Sequence, residues 1–257
     1  MTKMPALFMG HGSPMNAIED NIWSQSWKKI GKELPLPKAI LSISAHWMTP
    51  QEGIFVDAQE KPKTIHDFYG FPQTLFDIQY PASGSLELAK KISTLVPEIT
   101  SSNNWGIDHG TWSVLVHLFP NANIPVIQIS LDLAKPFSWH YELGKKLASL
   151  RNEGVLVLGS GNIVHNLRKI DWENEYFGHP WAKEFDQWVV DQITNQNHSA
   201  LLNPFTAGEK AHLSIPTADH YLPLLYVLAT QDQDDQVSFP VEGYSLGSLS
   251  MRAVMIK

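Results

Sequence analysis

Short apolar runs that end in small residues alternate along this chain with longer stretches of helical period, and that alternation points to a doubly wound α/β architecture. Residues 6–9 (ALFM) form the first candidate strand. Residues 21–33 then space Ile22, Trp23, Trp27 and Ile30 along one helical face before LPLP ends the pattern, and residues 39–44 (AILSIS) open the next strand. Further strands are read at 124–131 and 155–161 (VLVLGSG) and in the tail segments VSFPVEG and SLSMRAVMI. Helices are expected over 85–96, from Phe137 to a stop at Gly154, over 180–193 with Pro180 in the first turn, and over 218–230 with an interruption near Pro223. The proline-bearing stretches 50–84 and 195–217 read as long functional loops, and no repeat or linker divides the chain. The expectation is a single α/β domain over residues 1–257, with a mostly parallel or mixed central sheet flanked by helices.

Three of the eleven histidines follow candidate strands almost directly. His11 follows PALFMG, His46 follows AILSISA, and His165 lies just beyond VLVLGSG. Open α/β sheets bind ligands outside the carboxyl ends of their strands, so three strands deliver an imidazole to one edge. His109 (WGIDHGTWS) and His220 (IPTADHYLP) stand at expected loop-to-helix junctions. Neutral imidazole binds zinc and suits iron, and three or four such nitrogens suffice for one ion. The competing reading, five unrelated structural histidines, accounts less well for the shared strand-end placement. His117 falls on an apolar helix and reads as a core residue, while His140, His179, His198 and His212 lie in polar or loop contexts without assigned chemistry.

Composition removes other classes. With no cysteine, disulfides, thiolate metal sites and a cysteine nucleophile are excluded, and any metal must be held by nitrogen and oxygen. A net charge of -7, from 19 basic and 26 acidic residues, offers nothing to a nucleic-acid backbone. The apolar run at 5–9 is too short for a signal-peptide core or a membrane span, so a cytoplasmic location is expected, as a monomer or small homo-oligomer. No HExxH, GxSxG, P-loop or dinucleotide fingerprint is present. The Gly159-Ser160-Gly161 turn reads as a tight bend that lets another segment approach the site.

At these residues the sequence resembles the LigB-type extradiol ring-cleaving dioxygenases, and among them the 4,5-DOPA dioxygenase subgroup. The stretches that carry the resemblance are GHGSPMNAIEDN, SAHWMT, TIHDFYGFP, WGIDHGTWSVL, GSGNIVHNLR, TADHYLPLLY and VEGYSLGSLSMRAV, spread over nearly the whole chain. The resemblance implies one non-haem divalent metal ion, dioxygen as cosubstrate and a catechol as ring substrate. It places metal ligation on His11 and His46, then His220, with His165 matching either a ligand or an acid–base residue. His109 matches a pocket histidine and is the candidate proton carrier. No acidic residue stands clearly in the carboxylate place of a two-histidine, one-carboxylate iron site. Asp108 could orient the His109 ring, although adjacent side chains more often diverge.

A site of neutral imidazoles leaves the charge of a divalent ion uncompensated and should attract a catecholate. Fe(II) is expected for oxidative chemistry, whereas Zn(II), which cannot change oxidation state, is plausible as isolated. Walls for a flat substrate are sought among Trp47, Phe68, Tyr69, Phe71 and Tyr221, each of which could instead be core packing, and His66 lies in a segment that could close as a lid. A zinc-dependent hydrolase or lyase using the same pocket, or a non-catalytic metal-binding adaptor, are the competing readings.

Overall fold

The apolar runs become a sheet whose two faces are both covered, as the computed structural model of residues 3–257 describes. Its strands are β1 (Ala6–Gly10), β2 (Ala39–Met48), β3 (Ile54–Asp57), β4 (Ile99–Ser102), β5 (Val126–Leu131), β6 (Val155–Gly161), β7 (Val237–Val241), β8 (Tyr244–Ser245), β9 (Leu249–Ser250) and β10 (Ala253–Ile256). Eight of them form one sheet in the order β4-β3-β5-β2-β6-β1-β10-β7, and β8 pairs only with β9. The central strands β5, β2, β6 and β1 are mutually parallel. Antiparallel pairing enters where β3 meets β5 and where β10 joins β1 and β7, so the sheet is mixed.

Nine α-helices accompany the sheet among the described residues: α1 (Ile22–Glu33), α2 (Gln73–Phe76), α3 (Leu86–Leu95), α4 (His109–Leu118), α5 (Phe137–Leu147), α6 (Pro180–Thr194), α7 (His198–Leu201), α8 (Glu209–Ser214) and α9 (Leu222–Ala229). The two-residue period of a strand divides the core. Leu7 and Met9 of β1 pack on one face with Trp27 of α1 and Trp112 of α4, while Ala6 and Phe8 pack on the other with Leu143 of α5 and Val227 of α9. None of these helices is long and apolar enough to cross a membrane.

Several boundaries depart from the sequence reading for identifiable reasons. Pro223 stands in the first turn of α9 and so starts that helix rather than interrupting it. The helix from Phe137 ends at Leu147 and tightens into a 3-10 turn that stops at Gly154, where φ is 89°. The expected loop 50–84 contains β3 and α2, and 195–217 contains α7 and α8.

His140 is fully buried on α5 rather than lying in a polar or loop context. Its ring is held between the Tyr226 hydroxyl, 2.8 Å from Nδ1, and the Asp132 carbonyl, 3.1 Å from Nε2. The carbonyl can only accept, so Nε2 carries the proton and Nδ1 accepts from the tyrosine. Burial pushes the ring's pKa from 6.5 down to about 4. An unfolded chain therefore takes up this proton near 6.5 while the folded chain does not until about 4. The sign follows: stability falls as pH drops through that window, by up to about 3 kcal/mol from this residue. Urea unfolding of wild type and His140→Gln between these limits should show a shallower pH slope in the variant; equal slopes would remove His140 from the acid response.

Candidate metal centre

The parallel neighbours β2, β6 and β1 bring their carboxyl ends to one edge, and the histidines gather there. His11 is the first residue after β1, and its N–H donates to the Gly161 carbonyl at the end of β6 (3.2 Å). His46 lies within β2, whose register against β5 shifts between Ile43 and Met48. The chain after β6 carries His165, bridged to Leu249 of β9. His220 precedes α9 and is tied to the same edge, since Asn162 N–H donates to its carbonyl at 2.9 Å. His109 is the first residue of α4, whose N-cap is Asp108.

Two glycines make this convergence possible. A Cβ on Gly161 would stand 2.2 Å from the His220 carbonyl oxygen, and one on Gly110 would stand 2.7 Å from His46 Cδ2. Both are closer than atoms pack, so the bend after VLVLGSG admits the His220 segment and the glycine beside His109 admits the His46 ring.

The rings of His11 and His46 meet with their Nε2 atoms 3.2 Å apart. The His220 ring centroid is 5.3 Å from that of His11 and 5.2 Å from that of His46. His109 lies 3.9 Å from His46 by the same measure, and His165 stacks on His220 at 3.4 Å with planes only 4° apart. Two sets have ligand atoms close enough to share an ion: His11, His46 and His109, and His165, Asp219 and His220.

The far side of three rings is engaged by oxygen. His11 Nδ1 lies 3.0 Å from Ser160 Oγ, whose own proton goes to the Gly110 carbonyl. His46 Nδ1 lies 3.1 Å from Asp67 Oδ2, and His220 Nδ1 is hydrogen-bonded to Asp219. The hydrogen bonds of His11 and His220 select the tautomer protonated at Nδ1 and leave a lone pair on Nε2, and the Asp67 carboxylate beside His46 Nδ1 favours the same form there. Asp67 also faces His109: Oδ1 takes the His109 backbone N–H at 2.9 Å and lies 2.9 Å from His109 Nδ1, which has no hydrogen-bond partner of its own.

Electrostatics favours lone pairs over extra protons at most of the cluster. Burial, then the neighbouring histidines, holds His11 and His165 well below the usual imidazole range. His220 is also lowered, chiefly by burial, against the upward pull of Asp219. Burial and His46 lower His109. His46 alone is raised: burial opposes its charge, but the Asp67 hydrogen bond and the charges of Asp108, Asp67 and Asp219 outweigh it. Asp67 and Asp219 are held well below the carboxylate range by their histidine partners, burial notwithstanding.

A model of the catalytic LigB subunit of aromatic ring-opening dioxygenase matches residues 5–246, a span that includes all five histidines. The chain belongs to the LigB family. A 4,5-DOPA dioxygenase extradiol of Escherichia coli (strain K12) is 49% identical over 99% of this chain and 95% of its own length. A Beta vulgaris protein of the same description is 34% identical over 95% of this chain and 92% of its own. The crystal structure of an uncharacterized Escherichia coli K12 protein matches with a TM-score of 0.86 at 44% identity, covering 99% of this chain and all of the other.

In this LigB-family chain the expected aromatic wall is only partly assembled at the histidines. Phe68 stands edge-on to His109 at 5.4 Å between centroids. His66 lies behind it, against Phe68 and Trp112, with its Nε2 2.9 Å from the Ile78 carbonyl. Trp47 stacks on Trp105 (5.5 Å, 7°) and makes no ring contact with the cluster among the described residues. Tyr221 is buried between Phe137 and Phe185 with its hydroxyl donated to the Leu201 carbonyl, so its neighbour His220 reaches the site and it does not. Tyr69 is 93% exposed.

Asp108 turns away from the His109 ring. It caps α4 through Thr111 N–H (3.2 Å) and accepts from Ser44, Gln128 and Trp105. The acidic groups that do bond site imidazoles, Asp67 and Asp219, were not singled out from the sequence. Asp219 carried the same adjacency signal as Asp108, whereas Asp67 carried none beyond its place in TIHDFYGFP.

Proposed function

We propose that this protein is an extradiol dioxygenase that opens the ring of a DOPA-like catechol with dioxygen, beside the diol, to a semialdehyde product. His11, His46 and His220 hold one divalent ion in this reading, Fe(II) in the active enzyme, and His109 and His165 move protons. The observation that carries it is the 3.2 Å separation of the two Nε2 atoms, with Nδ1 occupied on all three rings. Two nitrogens about 2.0 to 2.2 Å from one ion, at angles between octahedral and tetrahedral, lie ~2.8 to 3.6 Å apart. The His11–His46 pair therefore fits a divalent metal with imidazole ligands, and His220, with its ring centroid 5.3 and 5.2 Å from theirs, supplies the third in this reading.

His165 fits the proton-carrying role better than ligation. A ligated ion lies in the plane of its imidazole, and the plane of His165 runs parallel to that of His220, 3.4 Å away. Parallel planes share no point, so an ion in one is outside the other. Asp67 and Asp219 lie on the outer side of the rings they bond and leave the ion's charge for a catecholate to neutralise.

Iron bound here supplies a chelating centre for the two ring oxygens and a redox path between ring and dioxygen, which closed-shell zinc lacks. The chain's own part is to orient and to move protons. His109, neutral because it is buried, can accept the proton a catechol loses on binding. Phe68, edge-on to it, flanks a flat ring. His165, stacked on His220, can return a proton to the opened product. A chain without cysteine suits a cytoplasmic enzyme, monomeric or a small homo-oligomer, whose partners are small molecules.

The test is anaerobic loading with iron or zinc, then admission of oxygen with a catechol panel. Iron-loaded protein should consume oxygen and form a yellow product from a DOPA-like catechol, and zinc-loaded protein should bind the catechol and leave it intact. Oxygen uptake by zinc-loaded, iron-free protein at the iron rate would overturn the redox assignment. Uptake by neither form, with any catechol, would move a metal-dependent hydrolase to first place.

A further inference from the structure

Asp67 has no place in the ligand set, yet it touches both halves of the centre. The segment before it is stitched down: Ile65 N–H donates to the Ile107 carbonyl (2.8 Å), Ile107 N–H donates to the Lys63 carbonyl (2.9 Å), and Trp112 Nε1 donates to the Ile65 carbonyl (2.8 Å). This part of TIHDFYGFP is therefore a fixed support beside α4 and not a free lid. From it, Asp67 Oδ2 reaches His46 Nδ1 at 3.1 Å while Oδ1 takes the His109 backbone N–H at 2.9 Å. One carboxylate thus joins a side chain of β2 to the first residue of α4.

A neutral imidazole can carry its proton on either nitrogen, and only the Nδ1–H form presents Nε2 as a donor. We infer that Asp67 is a positioning residue that locks His46 in that tautomer and seats His109 against it, so that metal retention depends on a residue that is not a ligand. The inference rests on the reading that His46 binds the ion. Loss of such an outer partner typically costs about 10- to 100-fold in metal affinity.

Asp67→Asn is close in shape, but its amide has a single acceptor oxygen and so cannot face both His46 Nδ1 and the His109 N–H with an acceptor. Zinc affinity of wild type, Asp67→Asn and Asp67→Ala is measured by competition with a chromogenic chelator, and the His46 tautomer is read in the metal-free protein by nitrogen-15 NMR of labelled imidazoles. Zinc affinity should fall about 10- to 100-fold in both variants. The His46 signals should move from the Nδ1–H pattern toward a mixture. If Asp67→Ala does not fold, Asp67→Asn decides alone. Wild-type zinc affinity in Asp67→Asn, or a lowered affinity with the tautomer unchanged, overturns the inference. Wild type that binds zinc but never turns over a catechol removes the dioxygenase reading and leaves this one to be judged on the same two measurements.

Discussion

Replacing His46 with alanine is expected to strip the protein of tightly held divalent metal and, with it, of catechol-dependent oxygen uptake. In the proposed ligand set His46 contributes one of three Nε2 donors, and loss of an outer partner alone costs about 10- to 100-fold in affinity, so loss of the donor itself should cost more. Apart from His109, no nearby side chain can take its place cheaply. Gly110, which packs on the His46 ring, has none, and Asp67 is already committed to the His109 backbone. Metal analysis after gel filtration, together with the zinc-induced rise in melting temperature, reads the effect. Zinc at about 1,000 times its dissociation constant should stabilise wild type by about 4 kcal/mol and should barely move the variant. His220→Ala should behave in the same way, whereas His165→Ala should keep its metal. Stoichiometric zinc in His46→Ala would refute the ligand set, and loss of metal from His165→Ala would restore that residue as a ligand.

The contrast between His165 and His220 marks the limit of what the sequence could say. Strand-end placement was legible, because ALFM, AILSIS and VLVLGSG are apolar runs long enough to be read as strands, and a parallel sheet must align their carboxyl ends. Gathering His11, His46 and His165 at one edge follows from that, whereas His109 and His220 could be placed only at loop-to-helix junctions. Ring orientation does not, since it depends on β2 continuing to Met48 through a register shift and on the Leu249 bridge beside His165. Short polar strands were also invisible: β4 reads ITSS, with its two central residues exposed, and nothing in four such residues separates a strand from a loop.

Aromatic residues failed as markers for a related reason. Trp47 and Tyr221 each adjoin a site histidine, but successive residues of a strand point to opposite faces, and Tyr221 enters the buried side of α9. Sequence adjacency therefore argues against a shared pocket within regular structure. Phe68 reaches His109 from a different segment altogether, which only the Lys63 to Ile107 pairing explains.

His109→Ala is expected to keep its metal while turnover falls about 10²- to 10⁴-fold, the usual contribution of a positioned general acid–base group. The expectation turns on which atoms the substitution removes. Alanine retains the backbone N–H that donates to Asp67 Oδ1, and the 3.1 Å approach of His46 Nδ1 to Oδ2 does not involve residue 109. His46 should therefore keep its tautomer, its Nε2 lone pair and its place 3.2 Å from His11 Nε2. What disappears is an imidazole 3.9 Å from His46 and edge-on to Phe68, the one ring of the five in contact with Phe68 among the described residues. Single-turnover measurements on iron-loaded protein separate the effects, since loss of a proton acceptor slows the chemical step and need not weaken catechol binding. His109 also lies within ligand distance of His11 and His46, so the outcome discriminates between two triads. Full turnover in the metal-loaded variant would remove His109 from the mechanism. Loss of metal from His109→Ala, with His220→Ala retaining it, would transfer the third ligand from His220 to His109 and leave His165 and His220 as the stacked pair available to carry protons.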